Sequence, residues 1–268
     1  MMRTLEIVRI FALKDLRVAL TYRLSFVLGL FTSFFGMLSF FFVSRVVGHG
    51  STVGTPAQYF RFIVIGVTVA NILRAAVMTA AGNVRRDQTE GTLEILATQP
   101  ISPLAFALGW SALPMMEAIL EAALMLIVAV PLGFSGFTPD WLSVALVLVV
   151  SIAVFLAIGF LGAAFVLAIQ QGTGLMSLIV GTMTLAGGSI FPVSVLPSSV
   201  HFLTVISPLT YTLRAMRAAM LGGQSPGHLL GGSLGVMLIY AAVTIPLGTI
   251  ALSASFGFAR ARGSLSRF

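Results

Sequence analysis

The chain reads as an all-α integral membrane protein with six transmembrane helices. Its 268 residues are 58% hydrophobic and only 9% charged, whereas soluble domains are about half apolar and a quarter charged. Mean hydropathy is +1.06. The apolar residues fall in six long runs, each near the roughly 20 residues that a helix needs to cross the hydrocarbon core. Little is left over, so a single membrane domain over residues 1–268 is expected, with no sizeable soluble domain.

Residues 1–20 are expected to form an amphipathic helix at the membrane surface. On a helical wheel Arg3, Glu6, Arg9, Lys14 and Arg17 fall on one side. Leu5, Val8, Phe11, Ala12 and Leu16 fall on the other, with Asp15 out of place. A basic amphipathic helix of this kind lies in the interface plane. The stretch lacks the short apolar core and cleavage site of a signal peptide. The spans follow at 22–45, 60–83, 103–132, 141–169, 174–191 and 229–258, and Pro114 interrupts the third. GFSGFTPD joins the third span to the fourth, and QQGTG turns the fourth into the fifth. Gly159, Gly162, Gly181, Gly187, Gly188 and the Gly231/Gly235 GxxxG pair are expected to let helices approach closely.

Between the second and third spans lies a polar island, residues 85–103, that holds Asp87, Glu90 and Glu94, three of the eight acidic residues. A short helix is expected from Thr92, with Leu93, Leu96 and Ala97 as its apolar face, Glu90 and Glu94 beside it, and Pro100 as its stop. An amphipathic helix of this length suits a partner's groove. The stretch 191–225 is apolar, yet Pro192, Pro197 and Pro208 forbid one continuous helix. Broken backbone at membrane depth must be buried in protein or face a water-filled cavity. A re-entrant pair of short helices on the outer side is expected there.

An even number of spans puts both termini on one side. With the termini inside, the inner side receives eight basic residues from the ends plus Arg85 and Arg86, against Arg45, Arg61, Arg214 and Arg217 outside. Ten against four places the termini, the island and QQGTG in the cytoplasm. The net charge of +7 therefore reflects topology at a cell membrane rather than a nucleic-acid surface.

Several chemistries are excluded. The one lysine, Lys14, sits in FALKDL, so no phosphate-binding P-loop exists. There is no cysteine, and His49, His201 and His228 are isolated, so no metal site is expected. Three charges fall inside spans: Arg74 in the second, Glu117 and Glu121 on one face of the third. Charge at that depth is costly and faces the protein interior or an aqueous path. The carboxylates either line a pathway for a cationic or polar substrate or a proton, or one of them pairs with Arg74 to tie the two spans together.

Glu90-Gly91-Thr92-Leu93-Glu94, with Leu96, Thr98, Pro100 and Ser102, resembles the cytoplasmic loop of ABC-2 type transporter permeases. FPVSVLP at 191–197 followed by SPLTY at 207–211, which includes Tyr211, is similar to that family's stretch after its fifth span. Gln99 stands between Thr98 and Pro100 where many relatives pass from Thr directly to Pro, so the loop is one residue longer. The resemblance implies a coupling loop at 85–100 whose short helix docks on a separate nucleotide-binding ATPase subunit. ATP and Mg would be bound by that partner and no cofactor by this chain. It also implies a second permease protomer, identical or not, and transport outward through the path between the two. The N-terminal helix would help hold the ATPase.

The 21 Phe and 12 Met against 2 Trp and 4 Tyr favour a drug, lipid or lipid-linked substrate. A polysaccharide or sodium exporter of the same architecture is the alternative. A proton-coupled secondary transporter using Glu117 and Glu121 is another, but no internal repeat supports it. An intramembrane transferase would need a cluster of acid, base or metal ligands that the loops do not offer.

Overall fold

The computed structural model describes residues 9–10, 13, 17, 23–47, 54–91, 102–135, 137–169 and 173–262, and among these there is no strand. The long helices are α1 (Arg23–Val47), α2 (Pro56–Thr89), α3 (Pro103–Ala129), α4 (Trp141–Ile169) and α5 (Thr173–Ala186). After two single 3₁₀ turns come α6 (His201–Ile206), α7 (Pro208–Leu221), α8 (Pro226–Leu230) and α9 (Ser233–Arg262). Among the described residues, four helices are long and apolar enough to cross a membrane: α2, α3, α4 and α9.

Local chemistry sets the helix starts. Thr55 and Gln58 cap α2 reciprocally: the Thr55 hydroxyl accepts from the Gln58 N–H at 3.4 Å, and the Gln58 side chain accepts from the Thr55 N–H at 2.9 Å. Such a capping box satisfies two donors that the first turn leaves open. Pro56 follows at the first helical position, where its missing N–H costs nothing. Ser102 caps α3 with its side chain alone, accepting from the Ala105 N–H at 3.2 Å ahead of Pro103.

Two helix ends differ from expectation by five residues or more. The second span was expected to stop at residue 83, but α2 continues through Arg85, Arg86, Asp87, Gln88 and Thr89. These residues are mostly polar, but nothing in them breaks a helix. Gly91 does, at φ 70, in the left-handed position that ends many helices. The fifth span was expected to reach residue 191, but α5 stops at Ala186, and Gly188 turns the chain at φ 77. At 14 residues α5 is about 21 Å long.

α2 sits centrally and packs on α1, α3, α4, α5 and α7, while α9 lies along α4. Small residues set the closest approaches. A Cβ on Gly159 of α4 would lie 2.5 Å from the Ala76 carbonyl oxygen of α2, and one on Gly248 of α9 would lie 2.6 Å from that of Ala157 in α4. The Gly231/Gly235 pair serves differently. Gly231 closes α8, and a Cβ on Gly235 would meet the Leu230 backbone at 2.3 Å. That GxxxG shapes the turn between α8 and α9 rather than joining two long helices.

The expected surface helix, apart from helical Arg9, Ile10, Leu13 and Arg17, lies outside the described residues. So do Thr92, Leu93, Glu94, Leu96 and Ala97, and most of QQGTG.

Candidate functional site

Arg74, Glu117 and Glu121 line one cavity of about 730 Å³ between α2, α3 and α5. Each helix presents a single stripe with the spacing i, i+3, i+4, i+7, which keeps residues on one helical face. α2 supplies Asn71, Arg74, Ala75 and Met78; α3 supplies Pro114, Glu117, Ala118 and Glu121. α5 supplies Ser177, Val180, Gly181 and Thr184, with Leu185 at the rim. Nothing lies within 4 Å of where a Cβ on Gly181 would stand, so that glycine leaves the wall open. In the single chain Arg74 and Glu117 are exposed and Glu121 is half-buried. The spacing argument for Glu117 and Glu121 thus holds, and Arg74 joins them. The wall from α5 was missed; Ser177 and Thr184, seven apart on one face of an apolar helix, were its signal.

Pro114 has a structural counterpart. A proline inside a helix leaves the carbonyl four residues back without its usual donor. That carbonyl belongs to Trp110, and the Asn83 side-chain N–H of α2 donates to it at 3.3 Å. Asn83 therefore holds α3 at the point where its ladder is interrupted, just beyond the cavity and toward the island. Replacing Asn83 with Ala is expected to cost about 1 kcal/mol. In a Pro114→Ala background, where residue 114 regains an N–H for Trp110, the cost should largely vanish. Thermal denaturation of the four proteins in detergent reads this coupling; equal losses in both backgrounds would exclude it.

At the other end of the bundle a second polar junction was not anticipated. Arg217 of α7 reaches across to the end of α5 and to α2. Its Nη2 donates to the carbonyls of Gly188 at 2.9 Å, Phe62 at 3.1 Å and Ser189 at 3.5 Å. Its guanidinium also lies 3.5 Å from the centre of the Phe62 ring. A cation here satisfies the open carbonyls at the α5 C-terminus, where the helix dipole is negative. Gly66 makes the junction possible: a Cβ there would lie 1.8 Å from the Ser189 carbonyl oxygen and 2.9 Å from Arg217 Nη2.

The proline-rich stretch organises around this junction. Pro192 and Pro197 precede the two 3₁₀ turns, Val193–Val195 and Ser198–Val200, and Pro208 opens α7. Tyr211 donates to the Val205 carbonyl at 3.1 Å, and Tyr240 of α9 donates to that of Ile206 at 2.8 Å. Two phenols thus satisfy the end of α6. The stretch is also tied to the connection before α4: the Asp140 N–H donates to the Ala219 carbonyl at 3.0 Å, and the Ser143 hydroxyl to that of Gln224 at 2.8 Å.

Of the coupling residues expected in the island, Glu90 and Gly91 are described. Glu90 caps α2 from an exposed position and pairs with Arg86 at 4.0 Å, an i,i+4 contact worth a few tenths of a kcal/mol at such exposure. Asp87 and Gln88 are buried, at 7% and 2% exposure. The island begins as a helix end set into the protein, with Glu90 turned outward. Among the described residues no cluster of His, Asp or Glu could hold a metal ion.

An apolar helical bundle with several candidate spans and a cavity between three of its helices is the build of a multi-pass membrane protein. A family model described as ABC-2 type transporter matches residues 8–221. The chain belongs to that family, and is a permease of an ABC-type transporter, which works with an ATP-binding partner subunit. The match ends with α7, so α8 and α9 lie beyond it. No curated protein matches the chain.

Proposed function

We propose that this permease crosses the membrane six times, with both termini in the cytoplasm. It pairs with a second permease protomer and exports a hydrophobic or amphipathic substrate when a separate subunit hydrolyses ATP. The family match over residues 8–221 carries this reading. α1, α2, α3, α4, α5 and α9 stand for the six spans. The connections support their alternation. Arg45, Thr55 and Leu132 line one pocket at a common end, and Glu90 and Ser102 lie at the opposite ends of α2 and α3. The excess of basic residues on the termini and island favours that side as cytoplasmic.

The re-entrant reading of 191–225 gains support from depth along α2. Gly66, which touches Ser189, lies about 10 Å from the middle of α2, within the roughly 15 Å half-thickness of the hydrocarbon core. α5, at about 21 Å, is too short to cross alone, so the turn at 187–190 and the helices after it would complete the outer half. In this reading Glu90, Gly91, Thr92, Leu93, Glu94, Leu96 and Ala97 form the coupling segment against the ATPase. Arg74, Glu117 and Glu121 border the transport path.

The test is purification of the tagged chain from its native membrane. A P-loop ATPase should co-purify, and the reconstituted complex should accumulate substrate in inside-out vesicles only with ATP. Transport by the chain alone, driven by a proton gradient, would replace this reading with secondary transport.

A further inference from the structure

Nine of the 14 residues of α7 are buried. Apart from Arg217, the others form one open stripe: Tyr211, Arg214, Ala218 and Leu221, at i, i+3, i+7 and i+10. Arg214 is exposed and the other three are half-buried. The two arginines of α7 are three residues apart yet differ. Arg217 donates to the carbonyls of Gly188 and Phe62. Among the described residues nothing accepts from Arg214, whose guanidinium lies 5.9 Å from the centre of the Tyr211 ring. The Tyr211 and Tyr240 rings, 6.0 Å apart, have their hydroxyls fixed on the Val205 and Ile206 carbonyls.

Depth narrows the ligand. The Asp140 N–H on the Ala219 carbonyl sets Ala219 level with the start of α4, a candidate span. The midpoint of α4 lies about 22 Å further in. From Ala219, α7 runs back toward Tyr240, seven residues inside α9. Arg214 therefore stands about 15 Å from the mid-level, at the edge of the hydrocarbon core. A long basic side chain there carries its charge into the headgroup layer. Beyond Ala218 the stripe opens into a pocket of about 500 Å³ whose described lining includes Gln224, His228 and Ser233. On the inner side Val205 and Ile206 are exposed and apolar. Apolar surface, cation and polar pocket follow one another in the order of a phospholipid's chains, phosphate and headgroup.

We propose that the open stripe of α7 binds an anionic membrane lipid, with Arg214 holding the phosphate and the pocket beyond Ala218 taking the rest of the headgroup. A second copy of this chain is a poor source of the anion. At this end it offers one carboxylate, Asp140, which already accepts from the Ser143 hydroxyl at 2.6 Å. The other seven acidic residues lie before α1, in the island or midway along α3, and none follows Asp140 in the sequence. The depth rests on α4 and α9 as spans; nothing in the site depends on the ATPase or on the direction of transport.

Native mass spectrometry of the purified chain in a neutral detergent counts retained lipid directly. Phosphatidylglycerol is expected to be kept over phosphatidylcholine of the same chains by about fivefold, the effect of one basic residue beside an anionic headgroup. Arg214→Gln should erase that preference and Arg214→Lys should keep most of it. Because Arg214 is exposed, both variants should fold as the parent does. Arg61→Gln removes a charge from the same end of the bundle but off the stripe, and should leave the preference in place. Inorganic phosphate should not displace the lipid. Equal retention of the two lipids, a preference that survives Arg214→Gln or falls as far with Arg61→Gln, or displacement by inorganic phosphate would overturn the inference. So would loss of the preference in the complex with the second protomer and the ATPase, since a partner would then cover the stripe. Co-purification of the ATPase reads the permease assignment separately, and neither result decides the other.

Discussion

Replacing Leu93 with Asp, or Glu94 with Lys, is expected to abolish transport-linked ATP hydrolysis while leaving membrane insertion intact. Both residues belong to the short segment that follows the end of α2 at Gly91. In the proposed function Leu93 sits on the apolar face that enters the ATPase groove, and Glu94 flanks it. A charge placed on that face must be desolvated for docking, at a cost of several kcal/mol. The reversal at Glu94 changes the charge that flanks this face. Coupling requires that the two states of the ATPase contact the segment differently, so a segment that no longer docks transmits nothing. Insertion is set by the apolar spans and their flanking charges, which neither substitution touches. The measurements are ATPase stimulation by the reconstituted permease and ATP-driven uptake into vesicles. Normal values for both variants would remove the segment from the coupling path.

Arg217→Ala is expected to lower the stability of the bundle by about 3 kcal/mol, since hydrogen bonds from charged groups contribute roughly 1.5–3 kcal/mol each. The loss is large because Arg217 serves three partners at once. The Gly188 and Ser189 carbonyls would be left at the end of α5 without their donor, and the Phe62 ring would lose its cation. Arg217→Lys keeps the charge but not the planar fork, so an intermediate loss is expected. Thermal midpoints in detergent and protease cleavage between residues 187 and 207 check this. Cleavage should appear in the Ala variant at temperatures where the parent resists. An unchanged midpoint in Arg217→Ala would mean that the junction is held by packing at Gly66 alone.

How much of this was legible in the sequence depends on what each signal measures. Hydropathy reports the bilayer, so α4 lies where its apolar run places it, at residues 141–169. It does not report the backbone. That is why α2 outruns its apolar stretch through Arg85–Thr89, and why α5 ends inside one, at a Gly-Gly pair with apolar residues beyond it. Glu117 and Glu121 were readable as a shared face because the period of a helix is fixed. Thr184 carried a weaker signal, since a threonine in an apolar helix ordinarily satisfies itself, and here it does donate to the Val180 carbonyl at 2.7 Å. Pro114 was visible as a break, but its remedy, Asn83, sits on another helix. Arg217 counted only as an outer charge. Its partner Phe62 is 155 residues away, and no local pattern encodes a contact of that span.

α2 touches each of these places in turn. Along its 34 residues it carries Phe62 and Gly66 under the turn at 187–190, Arg74 in the cavity and Asn83 at the α3 break, and Glu90 caps its end at the island. It has no internal proline, so its roughly 51 Å behave as one shaft. A shaft cannot turn at one end and stay still at the other. A small rotation delivered at Glu90 would swing Arg74 relative to the carboxylates of α3 and drag the Phe62 carbonyl beneath Arg217 in the same stroke. Movement of the cavity wall and of the turn at 187–190 would then be a single event with one rate, and lesions at either end should share a kinetic signature.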